Sequence, residues 1–335
     1  MSVSRLIPHV RSLRLMAAGW MIAASMLPIT IFAQDAQIRT CGTPTPPRAE
    51  VERSTAAAAR FGRFSAVFRV ERATIEIPVL YHVIGSGAEP EIDSLRLQRQ
   101  TEVLNAAFNR HGISFATAAI DRRVNAAWYT MLSGSPEEAA AKHELGKDPA
   151  RMLNVYVARP REVKNGETSD LLGFATYPWW LPDPTWDAGL DGVVIAASSL
   201  PNGGGRFGDG ATAVHEVAHW IGLLHTFHDV DLDGNGCTPL GDEIADTPYE
   251  AAPYFGPGLG AACPARVAGT CPGTASRPVS NYMDYTDDRC MTEFTPQQDL
   301  RMRNMLQQYR PALVRSSPSI QKLQQGNRTL RNLGY

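Results

Sequence analysis

The sequence has little excess charge of either sign, and this argues against several classes of partner. Its 32 lysine and arginine residues nearly balance 34 aspartate and glutamate residues, so the formal net charge is −2. A nucleic-acid or polyanion partner usually requires a concentrated basic surface, which this balance does not favour. We find no internal repeat and no heptad pattern, which argues against solenoids and coiled coils.

Cysteine is scarce, with five residues among 335, so this is not a small disulfide scaffold. The length and the 44% hydrophobic content allow a large apolar core or two ordinary ones. Four cysteines cluster late in the chain, at Cys237, Cys263, Cys271 and Cys290. In an oxidising compartment these four can pair in three ways, and Cys41 is left over near the N-terminus.

Only one long apolar run is present, from Leu15 to Phe32. Three arginines precede it, and the small residue Ala33 follows it. This pattern predicts a cleaved secretory signal at residues 1–33 and therefore an extracellular or periplasmic protein. A membrane anchor is the alternative, because the run is nearly long enough to span a bilayer. Ser25 and Pro28 interrupt the run and favour the signal.

Residues 34–72 differ in composition from the rest of the chain. The run from Cys41 to Pro47 is turn-forming and proline-rich, and a scatter of arginines follows it. The segment has few residues with which to build a core of its own. We interpret it as a pro-segment with exposed, cleavable basic sites; a plain linker is the alternative.

Residues 73–315 carry the regular pattern of a folded domain, followed by a polar tail at 316–335. The predicted strands are Ile75–Ile84, Ile113–Ile120, Met152–Ala158, Leu172–Tyr177 and Gly192–Ala197. Four helices are predicted. The first begins after Asp93 and ends at Gly112, and the others span Pro136–Leu145, Ala211–Leu224 and Pro296–Tyr309. Residues 229–294 are rich in loop-forming residues. This order predicts an α/β domain followed by an irregular part stapled by disulfides.

The strongest chemical signal is a run of three histidines. His215 and His219 are four residues apart, so they share one face of a helix and can bind one zinc ion. Gly222 lets the chain leave the helix, and the turn brings His225 back as a third ligand. Three protein ligands leave one position open, which is the catalytic arrangement of zinc. Glu216 lies next to the first ligand, close enough to act on a water molecule there.

The chemistry predicted from this motif is hydrolysis of a peptide bond. Zinc lowers the pKa of water from about 16 to about 7, and Glu216 acts as general base and then protonates the leaving amine. A chance match is disfavoured because the glycine and the third histidine keep a fixed spacing on a predicted helix. Two alternatives use the same site: a non-catalytic, zinc-stabilised binding protein, and a zinc amidohydrolase acting on non-peptide substrates.

The extended motif resembles that of the metzincin peptidases. Their second hallmark, a tight turn containing methionine, is matched by Ser280 to Tyr285. The resemblance implies that Met283 forms an apolar floor under the histidines and that Tyr285 reaches the zinc and steadies the oxyanion. Within the metzincins the chain is similar to the pappalysin family, of the ulilysin type. The similarity covers residues 75–312 and includes Ile77–Ile84, Gly173–Pro178, Asp191–Ile195, Gly241–Asp242, Asp246–Pro248 and Phe294–Gln298.

The resemblance implies a metzincin-like fold with a cleft between two subdomains. The upper subdomain, 73–225, would hold a twisted sheet and the active-site helix, and the lower one, 226–315, would be small and irregular. A protein or peptide substrate would add to the sheet edge near Gly173–Tyr177 as an extra strand. The disulfides implied by the family are Cys237–Cys271 and Cys263–Cys290. The oligomeric state is open.

Three further expectations concern the edges of the site. Cys41 could bind zinc as a thiolate in the open position and keep a precursor latent, as in ulilysin-type precursors; a free or intermolecularly paired thiol is the alternative. Family resemblance points to structural calcium bound by Asp242, Thr247 and the carbonyl of Ala245. Arg289 is expected to line the pocket after the scissile bond and to disfavour basic side chains there.

Overall fold

The computed structural model describes residues 38–67, 74–89, 91–228, 237 and 241–318, with side chains in 61–67 excluded. The predicted signal at 1–33 and most of the predicted tail at 316–335 lie outside the described residues. Among the helices that are described, none combines the length and apolarity needed to cross a bilayer.

A five-stranded mixed sheet forms the centre of the domain, in the order β2-β1-β3-β7-β6. The strands are β1 (Ile75–Gly85), β2 (Ile113–Val124), β3 (Leu153–Ala158), β4 (Arg161–Lys164), β5 (Glu167–Asp170), β6 (Gly173–Ala175) and β7 (Val193–Ala196). Strands β2, β1, β3 and β7 are parallel, and β6 runs antiparallel to β7 at the edge. All five predicted strands belong to this sheet. The β4–β5 hairpin was not predicted, because its polar, exposed residues show no alternating apolar pattern.

Helices cover the sheet and complete the domain. They are α1 (Arg48–Val67), α2 (Ser94–Phe108), α3 (Ala126–Tyr129), α4 (Pro136–Leu145), α5 (Ala211–Ile221), α6 (Pro296–Tyr309) and α7 (Pro311–Ser316). Helix α2 begins after Asp93, whose side chain accepts from the Arg96 amide at 2.7 Å, as predicted. Helix α5 ends at Ile221, three residues before the predicted end, because Gly222 adopts a φ of +112°.

Helix α1 lies within the proposed pro-segment, where no helix was predicted. Its alanines favour a helix, but the sequence of the segment shows little of an apolar face. Val51 and Ala58 are buried in a cluster with Trp179 and Met305, so the helix packs on the domain that follows it rather than on its own segment. Arg53 and Arg60 are exposed on it.

A buried ionic network connects α5, the start of β7 and the start of α7. The Arg310 guanidinium donates to both carboxylate oxygens of Asp191, at 3.0 and 2.8 Å. The indole of Trp220, on α5, donates to the same carboxylate at 2.9 Å, and the guanidinium lies 3.6 Å from the centre of that ring. These three side chains are almost fully buried, so each depends on the others to satisfy its polar atoms.

We predict that Arg310→Leu lowers the free energy of unfolding by about 3 to 5 kcal/mol, because it leaves the buried Asp191 without its cation. Urea unfolding of the purified protein measures this. The matched control is Arg151→Leu, which breaks an exposed pair with Asp148 and should cost less than about 1 kcal/mol. Equal, small effects of the two changes would contradict the prediction.

Candidate metal centre

Helix α5 and the turn after it position three imidazole rings. His215 and His219 lie one helical turn apart and are fully buried. The amide of Gly222 donates to the carbonyls of Ala218 and His219, which closes the helix. A Cβ atom on Gly222 would lie 2.8 Å from Cγ of Met305, so only glycine fits the turn that returns the chain to His225.

The three rings direct one nitrogen each toward a common point. The Nε2 atoms of His215 and His219 are 3.2 Å apart, those of His219 and His225 are 3.0 Å apart, and those of His225 and His215 are 3.2 Å apart. Burial and then the neighbouring imidazoles lower the pKa of His215 and His219 well below the ordinary value. Neutral rings are the form that binds a metal ion.

Carbonyl oxygens behind two of the rings fix their tautomers. Nδ1 of His215 donates to the Tyr282 carbonyl at 2.7 Å, and Nδ1 of His219 donates to the Leu223 carbonyl at 2.8 Å. The proton of each ring is therefore on Nδ1, and Nε2 presents its lone pair to the centre. Unshared lone pairs this close together repel each other unless a cation lies between them, so the donor set fits a zinc ion.

The predicted methionine turn is hydrogen-bonded to the segment that follows His225. Met283 is completely buried, and its carbonyl accepts from the amide of Thr226, next to the third histidine, at 3.2 Å. The Asn281 side chain holds the turn, because it accepts from the Met283 amide at 2.9 Å and exchanges two hydrogen bonds with Gln298. The turn also carries the Tyr282 carbonyl that orients His215, and the role of Met283 as an apolar floor stays a prediction.

Tyr285 lies beside the third histidine. Its hydroxyl is 3.4 Å from Nε2 of His225, and its ring packs edge-on against that imidazole. The His225 ring is stacked on Phe227 at 4.7 Å on another side.

Glu216 is buried beside the centre and has two hydrogen-bond donors. Its Oε2 accepts from Thr43 Oγ1 at 2.8 Å and from Cys41 Sγ at 3.5 Å. Burial raises the pKa of Glu216 to about 7, against the opposing effect of these hydrogen bonds and of Arg39. A Cβ atom on Gly173 would lie 2.8 Å from Cγ of Glu216, so glycine at the sheet edge makes room for the carboxylate.

The segment around Cys41 pairs with the edge strand β6. The Gly42 amide donates to the Gly173 carbonyl at 2.8 Å, and the Leu172 amide donates to the Thr40 carbonyl at 3.0 Å. The bridge between Cys41 and Gly173 is parallel, so the segment runs in the same direction as β6. Ligand atoms of Cys41 and the three histidines all lie within 4.8 Å of one another. Burial, followed by the nearby Glu216 carboxylate, raises the pKa of the Cys41 thiol.

Arg39 and Asp288 belong to this region but were not predicted from the sequence. The Arg39 guanidinium forms a buried ion pair with Asp288 and also donates to Thr212 Oγ1 at 3.1 Å and to the Thr286 carbonyl at 3.2 Å. The other carboxylate oxygen of Asp288 accepts from the Ala211 amide at the start of α5. The one feature of the sequence that could have pointed to Arg39 was its position two residues before Cys41.

The late cysteines form the two disulfides that the family resemblance implied. Cys237 is bonded to Cys271, and Cys263 is bonded to Cys290. Arg289, adjacent to Cys290, donates to the carbonyls of Gly258 and Ala261 and lies 3.6 Å from Asp287. It therefore helps to hold the loop at 258–261, and its effect on substrate preference stays a prediction.

Two of the three residues expected to bind calcium are in direct contact. Thr247 Oγ1 donates to Oδ1 of the buried Asp242 at 2.7 Å, and the Ile244 amide donates to the same oxygen at 3.1 Å. The other oxygen, Oδ2, has no hydrogen-bond partner among the described residues. Burial raises the pKa of Asp242 to about 7. The Ala245 amide donates to Gln297, and the loop before residue 241 is largely outside the described residues.

Comparison with known proteins gives consistent similarities. Residues 137–307 match the family model Peptidase_M43, described as pregnancy-associated plasma protein-A. An extracellular metalloprotease of Sordaria macrospora is 33% identical over 298 residues, which cover 87% of this chain and 96% of that protein. An extracellular metalloprotease of Verticillium alfalfae is 35% identical and covers 81% of this chain and 89% of that protein.

A solved structure gives the same similarity in three dimensions. Mirolysin in complex with compound 9 matches with a TM-score of 0.59 and 28% identity, covering 72% of this chain and 96% of that one. The mixed sheet, the helices and the two disulfides are thus those of a metzincin. The family implies a zinc cofactor, which fits the convergent histidines. The chain belongs to the pappalysin family of zinc metallopeptidases and is a metalloendopeptidase.

Proposed function

We propose that the protein is a secreted, zinc-dependent endopeptidase in which His215, His219 and His225 hold the metal and Glu216 is the general base. The observation that supports this most directly is the convergence of three Nε2 atoms within 3.2 Å of one another, with Glu216 buried beside them. The predicted signal and the extracellular relatives support secretion.

Bound zinc would supply a polarised carbonyl and a water of lowered pKa. The protein residues supply positioning and proton transfer. Glu216 accepts the proton of the attacking water on a carboxylate oxygen and passes it to the departing amine. The Tyr285 hydroxyl donates to the oxyanion that develops on the substrate, and the edge of β6 holds the peptide as an added strand.

We expect Glu216→Gln to reduce cleavage of casein by at least about 100-fold while leaving zinc binding intact, because the base is lost and the imidazoles remain. Each precursor is first cut by an added serine protease, which is then inhibited. Casein digestion and metal analysis are measured together. Glu167→Gln, an exposed change on β5, is the matched control and should keep full activity.

Chelation is the second arm of this experiment. A zinc chelator should abolish digestion, and added zinc should restore it. Zinc binding without digestion by the wild-type protein would favour a zinc-stabilised binding protein. Digestion that survives Glu216→Gln or chelation would contradict the assigned base or metal.

We also propose that residues 34–72 are a pro-segment that keeps the precursor latent. Its residues 40–43 occupy the edge of β6 where a substrate strand would lie, and Cys41 Sγ lies with the three imidazole nitrogens. As a thiolate, Cys41 would take the open zinc position and exclude the attacking water. The Thr43 hydroxyl donates a hydrogen bond to Glu216 at the same time.

Cys41→Ala should shorten the lag before the freshly purified precursor begins to digest casein, because the added ligand is lost while the strand contacts remain. A time course of casein digestion measures the lag. Ile38→Ala changes an exposed residue of the same segment, 48% accessible, and should leave the lag unchanged. An equal lag in the wild type and Cys41→Ala would refute the role of the thiol.

Structural calcium at Asp242, Thr247 and the Ala245 carbonyl is a third part of the proposal. A buried carboxylate oxygen of Asp242 lacks a hydrogen-bond partner among the described residues, which supports a cation there.

We expect EGTA to lower the melting temperature of the precursor and added calcium, but not zinc, to restore it. Asp242→Asn should abolish this calcium response, whereas Asp148→Asn, at an exposed position, should keep it. Thermal unfolding followed by circular dichroism measures the shift. A calcium response that is identical in Asp242→Asn would contradict the site.

A further inference from the structure

Helix α1 covers an aromatic surface beside the metal centre. We call this surface the aromatic platform and define it as Tyr177, Trp179 and Trp180. Tyr177 and Trp179 are stacked at 4.5 Å, and Trp180 packs edge-on against Tyr177 at 5.3 Å. Val51 of α1 belongs to the same buried cluster, and Trp179 is only 7% accessible beneath the helix.

Two indole groups of the platform bind one carboxylate oxygen of α1. The Nε1 atoms of Trp179 and Trp180 donate to Oε1 of Glu50 at 2.6 and 2.7 Å. An indole nitrogen can only donate, so the pair is matched to an acceptor and strongest with a charged one. The platform therefore combines an apolar surface with a double donor for a carboxylate.

The platform is continuous with the catalytic centre. The ring of Tyr177 lies 5.7 Å from that of His219, and its hydroxyl is 3.5 Å from His219 Nδ1. Residues 177–180 also directly follow β6, the edge strand that holds residues 40–43. A peptide bound along β6 would thus pass from the metal centre onto the platform within a few residues.

We propose that Trp179 and Trp180 form a substrate subsite that binds the carboxylate of an aspartate or glutamate side chain. The inference rests on the proposed function, because Glu50 must leave with the pro-segment before a substrate can take its place. Glu50 then acts in the precursor as a stand-in for the acidic residue of a substrate.

The side of the scissile bond follows from strand direction. The pro-segment runs parallel to β6, whereas a substrate that pairs antiparallel forms the slightly more stable ladder. An antiparallel chain reaches the C-terminal end of β6 with its N-terminal part. The platform therefore contacts substrate residues on the amino side of the bond that is cut.

The test begins with enzyme obtained by processing of the full-length precursor. A randomised peptide library should give enrichment of aspartate and glutamate at one position, two to four residues before the cut. Two peptides that differ only by glutamate or glutamine at that position are then compared. We expect kcat/KM to favour glutamate by about tenfold, mostly through KM, since hydrogen bonds to a charged group are stronger than those to a neutral one.

The combined variant Trp179→Phe with Trp180→Phe keeps the aromatic rings and removes both donors. It should bring the glutamate-to-glutamine ratio to about one. The matched control is Trp186→Phe, because Trp186 packs against Trp180 at 5.9 Å and is not a donor to Glu50. This control should keep the wild-type ratio. A role in packing alone would lower cleavage of both peptides together and leave the ratio unchanged.

The outcomes separate the two levels of the proposal. Equal cleavage of the glutamate and glutamine peptides by the wild type would overturn the subsite and leave the peptidase assignment intact. A ratio that persists in the double variant would also overturn it. If neither peptide is cleaved and casein is not cleaved, the proposed function is overturned and the substrate subsite with it.

Discussion

Three imidazoles point one nitrogen each at one buried spot, and the rest of the site is arranged around that constraint. The Nε2 atoms of His215 and His219 lie 3.2 Å apart, and neither ring can donate to the other because each carries its proton on Nδ1. A zinc ion between the three nitrogens would satisfy both lone pairs and could be bound by His225 as well. The carbonyls of Tyr282 and Leu223 are therefore as important as the ring positions, because they decide which nitrogen is free to bind.

Rigid elements on both sides of the cleft maintain this geometry. Helix α5 is held to the sheet by the buried Trp220–Asp191–Arg310 network, and its first turn is capped through Asp288. The methionine turn is joined to α6 by the two hydrogen bonds between Asn281 and Gln298. Small movements of either part would separate the imidazoles, so their precision depends on residues far from them in sequence.

The segment before the catalytic domain contacts each part of this site with a different group. The Arg39 guanidinium pairs with Asp288, and the Cys41 thiol lies among the histidines. The Thr43 hydroxyl donates to Glu216, and the Glu50 carboxylate accepts from the indoles of the aromatic platform. Backbone pairing with β6 sets the spacing of these groups. This extended segment resembles a bound substrate strand in shape. It differs in direction, because it runs parallel to β6 and the proposed substrate runs antiparallel.

The sequence alone determined the parts that depend on local spacing. His215 and His219 share a helix face because they are four residues apart, and Gly222 ends the helix because other residues resist its φ. The five strands of the sheet and the capped start of α2 were also predictable from local pattern. Helix α1, the Arg39–Asp288 pair and the Trp179–Glu50 contact were not. The two pairs join groups more than a hundred residues apart, and α1 packs on residues equally distant in the sequence. A sequence shows the residues of such contacts without the folded backbone that brings them together.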